Sequence, residues 1–99
     1  MSRIQKEVLN ASDGLKVVRL RVSAGNQVPE HHANVDVIAT VVSGRGTFTV
    51  AGTPQAIGPG AVIVMPPRQR HSIAAESDLE LVVVHARLTD AGQPAACGG

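Results

Sequence analysis

The segment from residue 29 to residue 48 constrains the fold of this chain more than any other part of it. It opens with Pro-Glu-His-His, continues as an apolar and β-branched run from Val35 to Val42, and reverses through Ser-Gly-Arg-Gly at residues 43–46. β-Branched residues favour strands, and the alternating Thr-Phe-Thr-Val after the reversal is typical of a β-hairpin. We therefore predict a central strand with both faces covered, joined by a tight turn to the next strand.

The remainder of the chain consists of short alternating segments separated by glycine and proline turns. Within residues 15–22, Val18, Leu20 and Val22 fall on one face of a predicted strand and two arginines on the other. Before residue 12, a weakly amphipathic piece fits either a short helix or an edge strand, and the sequence does not choose between them. Further strands are predicted at residues 55–57, 61–65, 71–75 and 79–88.

This pattern predicts an all-β fold, an antiparallel jelly-roll β-barrel, in one domain spanning residues 1–99. Residues 1–14 form an N-terminal extension in this prediction, and residues 89–99 a flexible C-terminal tail. A chain of 99 residues buries a limited core, so we expect a homodimer. Phe48 is the only aromatic residue, and an interior lined mainly by valine, alanine and isoleucine leaves room for a cavity.

Charge and cysteine content exclude several classes of function. A formal net charge of +1 and 1% aromatic residues provide neither a basic stripe nor stacking platforms, so nucleic acid is not an expected partner. No apolar run approaches the length of a membrane span, and residues 2–7 lack the apolar core of a signal peptide. Cys97 has no partner for an internal disulfide, which fits a reducing compartment. We therefore expect a cytoplasmic protein.

Two stretches that contain glycine and histidine have a recognisable spacing. One begins at Gly25 and ends at Gly44, with His31 between them; the other begins at Gly60 and ends at His71, with a proline at residue 66. Over roughly residues 15–88 the chain resembles the cupin superfamily. The first cupin motif has the form Gly-x5-His-x-His, then three or four residues, then Glu-x6-Gly, and the second has the form Gly-x5-Pro-x-Gly-x2-His. The resemblance implies a jelly-roll barrel with a divalent metal site.

The departures from the cupin motifs fall in the metal site itself. In the register that aligns both flanking glycines of the first motif, Ala33 occupies the position of the second histidine and Val37 that of the glutamate. Of the four ligands that the resemblance implies, His31 and His71 remain. Sites that hold a catalytic divalent metal usually present three protein side chains. The two remaining histidines alone are therefore too few ligands for such a site.

Neighbouring residues offer two ways to complete the site. His32 follows His31, and both side chains reach one ion only if the strand is irregular there, because successive side chains in a regular strand point to opposite faces. A register slipped by one residue instead aligns Glu30, His32 and Asp36 with the ligands of the first motif, at the cost of turning the faces of the strand over. Asp36 could alternatively be exposed to solvent, or it could accept a hydrogen bond from a metal-bound histidine and orient that ring.

Three further side chains are candidates for the cavity or its surroundings. His85 shares a face with the apolar residues of the last predicted strand. It could be a metal ligand, a hydrogen-bonding group inside the barrel, or a rim residue at a dimer surface. Arg68, which replaces the glycine of the second motif, and Arg70 are expected to flank the cavity mouth, where guanidinium groups could hold a carboxylate. Solvated turn arginines are the alternative.

The resemblance implies two functions that the residues leave open. One is a metal-dependent enzyme acting on a small molecule, with Fe, Mn, Ni or Zn held by His31, His32 and His71. The loss of the glutamate favours such a three-histidine set over a firmly held hard cation. The other is a non-catalytic cupin that binds or senses a small ligand without a tightly bound metal, which Ala33 and Val37 favour.

Overall fold

Nine β-strands and no helix make up residues 3–87, the part of the chain that the computed structural model describes. All strand pairings within this part are antiparallel. This arrangement confirms the all-β prediction. The strands are β1 (Ile4–Ser12), β2 (Leu15–Val22), β3 (Gln27–His31), β4 (Asp36–Ser43), β5 (Gly46–Val50), β6 (Thr53–Ile57), β7 (Val62–Met65), β8 (His71–Ala75) and β9 (Leu79–Ala86).

The strands form two sheets whose inner faces enclose the apolar core. The first sheet has the order β1-β2-β9-β4-β7 and the second the order β3-β8-β5-β6. Strands that are distant in sequence therefore pair, as β2 does with β9 and β3 with β8, which is the connectivity of a jelly roll. The side chains with the least solvent exposure are Val22, Val41, Phe48, Met65, Leu79 and Leu81.

The N-terminal segment is an edge strand, so the helical alternative for residues 4–12 is wrong. β1 pairs with β2 along its whole length, from Ile4 opposite Val22 to Ser12 opposite Leu15, with a bulge between Val8 and Asn10. The expected extension is therefore part of the five-stranded sheet. Lys6, two residues from Ile4 along the strand, is directed toward the interior side of that sheet.

β4 lies between β7 and β9, which confirms its central position in the sheet. Val37, Ala39 and Val41 are buried on its inner face, but Ile38 is only half-buried and Val42 is 49% exposed. The expectation that both faces of this strand are covered is therefore wrong for a single chain. No second layer covers the outer face within residues 3–87, since the other sheet packs on the inner face alone.

The turn between β4 and β5 requires glycine for a steric reason. Gly44 has a φ of +88°, and a Cβ atom at this residue would collide with the backbone carbonyl of Asp78 in the turn between β8 and β9. A Cβ at Gly46 would likewise collide with the Ala74 carbonyl. The Gly-Arg-Gly sequence therefore lets two turns at one end of the barrel approach each other closely.

The structure describes β9 as far as Ala86, two residues short of the predicted end of that strand at Leu88. Leu88 itself and the predicted tail at 89–99, which includes Cys97, lie outside the described residues. Within residues 3–87, no helix of the length and apolarity of a membrane span is present.

Candidate functional site

A cavity of about 220 Å³ lies between the inner faces of the two sheets. Phe48, Met65 and Ile73 form part of its buried, apolar wall. No aspartate or glutamate of the described chain lines it. Its polar lining consists of all four histidines of the chain and two lysines, namely His31, His32, His71, His85, Lys6 and Lys16.

His31 and His71 form a cross-strand pair on β3 and β8. They are direct partners in the strand register, and their ring centroids lie 4.2 Å apart with the planes inclined at 63°. The His71 ring also stacks on Phe48 at a centroid distance of 5.8 Å and an angle of 22°. His71 is buried and His31 exposed, so the pair reaches from the interior of the barrel toward solvent.

Both rings of this pair are oriented by a backbone carbonyl two residues earlier in the chain. The Nδ1 atom of His31 lies 2.9 Å from the Pro29 carbonyl oxygen, and the Nδ1 atom of His71 lies 3.0 Å from the Gln69 carbonyl oxygen. Because a carbonyl oxygen only accepts, Nδ1 is the protonated nitrogen in each ring. In the neutral ring, Nε2 then carries the free lone pair and can accept a proton, a hydrogen bond or a metal.

Burial keeps the interior histidines in the neutral form. It lowers the pKa of His71 from its ordinary value of 6.5, and the nearby His31 and His32 lower it further, against the opposing hydrogen bond to the Gln69 carbonyl. Burial also lowers the pKa of His85, with smaller contributions from Lys16, His71, His31 and Lys6. At neutral pH both rings are therefore acceptors as well as donors.

His85 lies on the inner face of β9, where sequence alternation placed it. Its partners in the neighbouring strands are Lys16 on β2 and Val37 on β4. Its Nδ1 atom is shielded from solvent and has no hydrogen-bond partner in the part of the chain that the structure describes. A buried polar atom without a partner is energetically costly.

β3 is irregular just before His31, and His32 lies beyond its end, so the alternation of a regular strand does not separate these two histidines. The pairing of β3 with β8 shifts register between Val28 and His31, and both histidines line the cavity. Asp36 does not: Val37 and Ala39 of β4 line the cavity, whereas Asp36 lies on the alternate, outer face. The slipped register, which needs Asp36 inside, is therefore not the one adopted.

The donor set does not fit a firmly held metal ion. Within residues 3–87, no three His, Cys, Asp or Glu side chains are arranged to hold one. Ala33 and Val37, at the motif positions of a histidine and a glutamate, line the cavity and offer it no donor atom. His31 and His71 could supply two imidazole ligands, one fewer than a catalytic divalent site usually has.

The two predicted arginines are not part of the cavity lining. The Arg70 guanidinium lies 3.4 Å from the Glu30 carboxylate, with both side chains largely exposed. Arg68 adopts a φ of +68° in the turn after β7, and its backbone N–H donates to the Ala33 carbonyl at 2.6 Å. The backbone of Arg68, and not its charge, is what connects this turn to the β3–β4 loop.

Two lysines, Lys6 and Lys16, line the cavity instead of the arginines, and sequence reasoning missed them. Lys16 precedes Val18, Leu20 and Val22 at the same two-residue spacing, so the alternation of β2 already placed it on the inner face. Lys6 had no such signal, because the sequence left its segment open between helix and strand.

The chain belongs to the cupin family: the family model described as a cupin domain matches residues 17–86. No curated protein matches the chain. Among solved structures, an RmlC-like cupin protein from Desulfovibrio desulfuricans is 28% identical, with a TM-score of 0.79 over 86% of this chain and 83% of that one. KdgF from Halomonas sp. is 23% identical, with a TM-score of 0.79 over 89% and 82% of the two chains. The DMSP lyase DddQ from Ruegeria pomeroyi is 21% identical, with a TM-score of 0.80 over 93% of this chain and 50% of that one.

Proposed function

We propose that this cupin binds a small organic molecule in the cavity through its histidines, without a tightly held metal ion. The observation that carries the proposal is the His31–His71 pair, in which each Nδ1 donates to a backbone carbonyl and neither Nε2 has a hydrogen-bond partner among residues 3–87. These nitrogens, with the imidazole rings of His32 and His85, give an otherwise apolar cavity a few polar groups. That combination is typical of a small-molecule site.

The size of the cavity limits the ligand. An apolar protein cavity of about 150 Å³ accommodates benzene. A volume of about 220 Å³ therefore suits a ring or a branched chain of similar size with one polar substituent. Sugars with several hydroxyl groups fit less well, because Val37, Phe48 and Met65 offer them no hydrogen bonds.

A second candidate is a metal-dependent enzyme acting on a small molecule. One observation favours it: histidines that ligate metals usually donate their other ring N–H to a carbonyl or carboxylate, as His31 and His71 do here. His32 is the third ligand in this alternative, and Fe, Mn, Ni or Zn the candidate ion. Such an ion would supply Lewis acidity.

The test is a pair of measurements on the purified protein. The four histidines give four imidazole Cε1–Hε1 signals in an NMR spectrum, and each reports from the cavity wall. Binding of small molecules from a fragment collection should shift the signals of His31, His71 and His85 together. Elemental analysis should find well under one first-row transition metal per chain. One metal per chain, lost in His71→Ala but kept in Arg45→Gln, would favour the enzyme.

We also propose that the protein is a homodimer formed through the outer face of the five-stranded sheet. Ile38 lies directly between Val64 on β7 and Val84 on β9, and Val62 and Val64 are 58% and 68% exposed. These positions carry no charge, and the face is flanked by the ion pairs of Arg19 and Arg21 with Glu80. This β-branched patch, with Asp36 at its edge on β4, suits a second copy of itself in an isologous interface. The cytoplasmic location stays a prediction.

A further inference from the structure

The lysines of this chain are distributed unevenly. Lys6 and Lys16 are the only two, and both line the cavity; none of the arginines does. Lys16 is the cross-strand neighbour of His85, and Lys6 lies on the inner face of the edge strand β1. Both side chains are exposed, which places their ammonium groups on the open side of the cavity.

No acidic residue between 3 and 87 forms an ion pair with these two ammonium groups. Neither forms an ion pair with any residue between 3 and 87, and no carboxylate lines the cavity in that part of the chain. The acidic side chains lie elsewhere: Glu7 and Glu80 pair with Arg19 on the outer face, and Glu30 pairs with Arg70. Three arginines outside the cavity thus have carboxylate partners, whereas the two lysines at the cavity have none among residues 3–87.

The lowered pKa of His85 is consistent with a positive electrostatic potential in the cavity. After burial, Lys16 makes the largest contribution to the lowered pKa of this histidine, and Lys6 also contributes. No acidic group opposes them. A neutral His85 beside two ammonium groups leaves the net charge of the cavity positive and its inner end uncharged.

We infer that the ligand is a small organic carboxylate, bound with its charged end between Lys6 and Lys16 and its apolar body against Phe48 and Met65. This inference rests on the proposed function and names its substrate class. Two point charges at an open mouth attract and orient an anion, and the apolar wall selects the remainder of the molecule. A polar substituent at the far end of the ligand would reach the histidines.

Both lysines precede residues 17–86, the part of the chain that the cupin domain model matches. The β1–β2 hairpin therefore supplies the anion-binding groups, and the shared barrel supplies the histidines. This division assigns β1 a second role beyond its pairing with β2.

The experiment compares matched charged and neutral probes: benzoate with benzamide, and isovalerate with isovaleramide. Binding is followed by the four histidine signals and by the signals of the two lysines after reductive ¹³C-methylation, which preserves their charge. Benzoate and isovalerate should shift both sets of signals and bind more tightly than their amides. In Lys6→Gln or Lys16→Gln, affinity for the carboxylates should fall roughly two- to fivefold, and about tenfold in the double variant, as expected for exposed charge pairs. Amide binding should not change.

Arg45→Gln is the control, because it removes one positive charge from an exposed turn that does not line the cavity. It should leave carboxylate binding unchanged. Equal affinity for acids and amides, or full carboxylate affinity in the double variant, would overturn the inference while the proposed function stands. If no carboxylate, amide or other fragment shifts any histidine signal, the proposed function itself fails. Far-UV circular dichroism establishes that each variant keeps the β fold.

Discussion

His31 and His71 face each other across β3 and β8 with their ring centroids 4.2 Å apart, and each ring donates its Nδ1–H to a backbone carbonyl. This arrangement fixes the tautomer of two adjacent imidazoles without any acidic side chain. For His71, burial lowers the pKa and outweighs the opposing hydrogen bond to the Gln69 carbonyl, so this ring is neutral at neutral pH. His71 is therefore suited to accept a hydrogen bond or a proton at its Nε2 atom at neutral pH.

The first prediction concerns the pH dependence of stability. The pKa values of His71 and His85 are lowered in the folded state from 6.5, mainly by burial, so the unfolded chain binds more protons below that pH. The free energy of unfolding should therefore fall as the pH is lowered from about 7.5 to about 5.5, through the range of the unfolded histidine. Urea denaturation at several pH values measures it. His85→Gln should flatten the curve, and an unchanged slope in that variant would exclude the contribution of His85.

The second prediction concerns the turn between β4 and β5. Gly44→Ala combines a positive φ with a collision between the new Cβ and the Asp78 carbonyl. Gly14→Ala is a matched control, since Gly14 has a φ of +78° but a Cβ added there would meet no described atom within 4 Å. The control should lose about 1 kcal/mol from the left-handed backbone alone, and Gly44→Ala should lose about 2–4 kcal/mol because the two turns must separate. Equal losses in guanidinium denaturation would contradict the steric explanation.

The third prediction tests whether the vacated ligand positions explain weak metal binding. Val37→Glu introduces a carboxylate on the cavity wall at the motif position of the cupin glutamate. With His31 and His71, it provides a three-ligand set, so affinity for Ni²⁺ or Zn²⁺ should rise at least about tenfold over wild type. Competition with a chromophoric chelator measures it. Val41→Glu, buried on the same face of β4 but outside the cavity lining, is the control.

Without metal, Val37→Glu should be less stable than wild type, because a buried carboxylate is poorly solvated, and added metal should restore part of the loss. Metal affinity equal in the two glutamate variants would mean that the histidine pair does not contribute ligands. Tight stoichiometric binding by the unmodified protein would show that three ligands assemble without the carboxylate.

The fourth prediction concerns the outer face of the five-stranded sheet. Val64→Lys places a charge at the most exposed apolar position of that face and should convert the dimer to a monomer. Light scattering coupled to size-exclusion chromatography measures the mass of each species. Gln55→Lys on β6, an exposed position of the other sheet, should remain dimeric. A monomeric wild type at high protein concentration would contradict the proposed dimer, as would a dimeric Val64→Lys.

Local sequence patterns were enough to predict most of the strands. Two-residue alternation identified β2 and β5, and the glycine and proline turns separated the later strands, because both signals act within a few residues. The choice between helix and strand for residues 4–12 could not be made locally. That segment becomes a strand because β2 offers it a full set of hydrogen-bond partners, which only the assembled sheet provides.

The candidate site was predictable only in part. The spacing around Gly25, Gly44 and Gly60 identified His31 and His71, and alternation directed His85 inward; the structure places all three, with His32, around one cavity. Their roles as metal ligands stay a prediction. Asp36 was a candidate through the slipped motif register, and Arg68 and Arg70 through their position beside His71 in the sequence. Asp36 instead lies on the outer face of β4, and neither arginine lines the cavity.

The sequence by itself determined the β fold, the cupin motifs and the identity of the histidines, because strand period, turn chemistry and motif spacing are all written in neighbouring residues. Only the tertiary structure decided what surrounds those histidines. Lys16 lies beside His85 because β2 pairs with β9, and Lys6 reaches the cavity because β1 completes the same sheet. The charge of a cavity depends on which side chains distant strands bring together. Pairing between strands that are far apart in sequence cannot be predicted from the pattern of neighbouring residues.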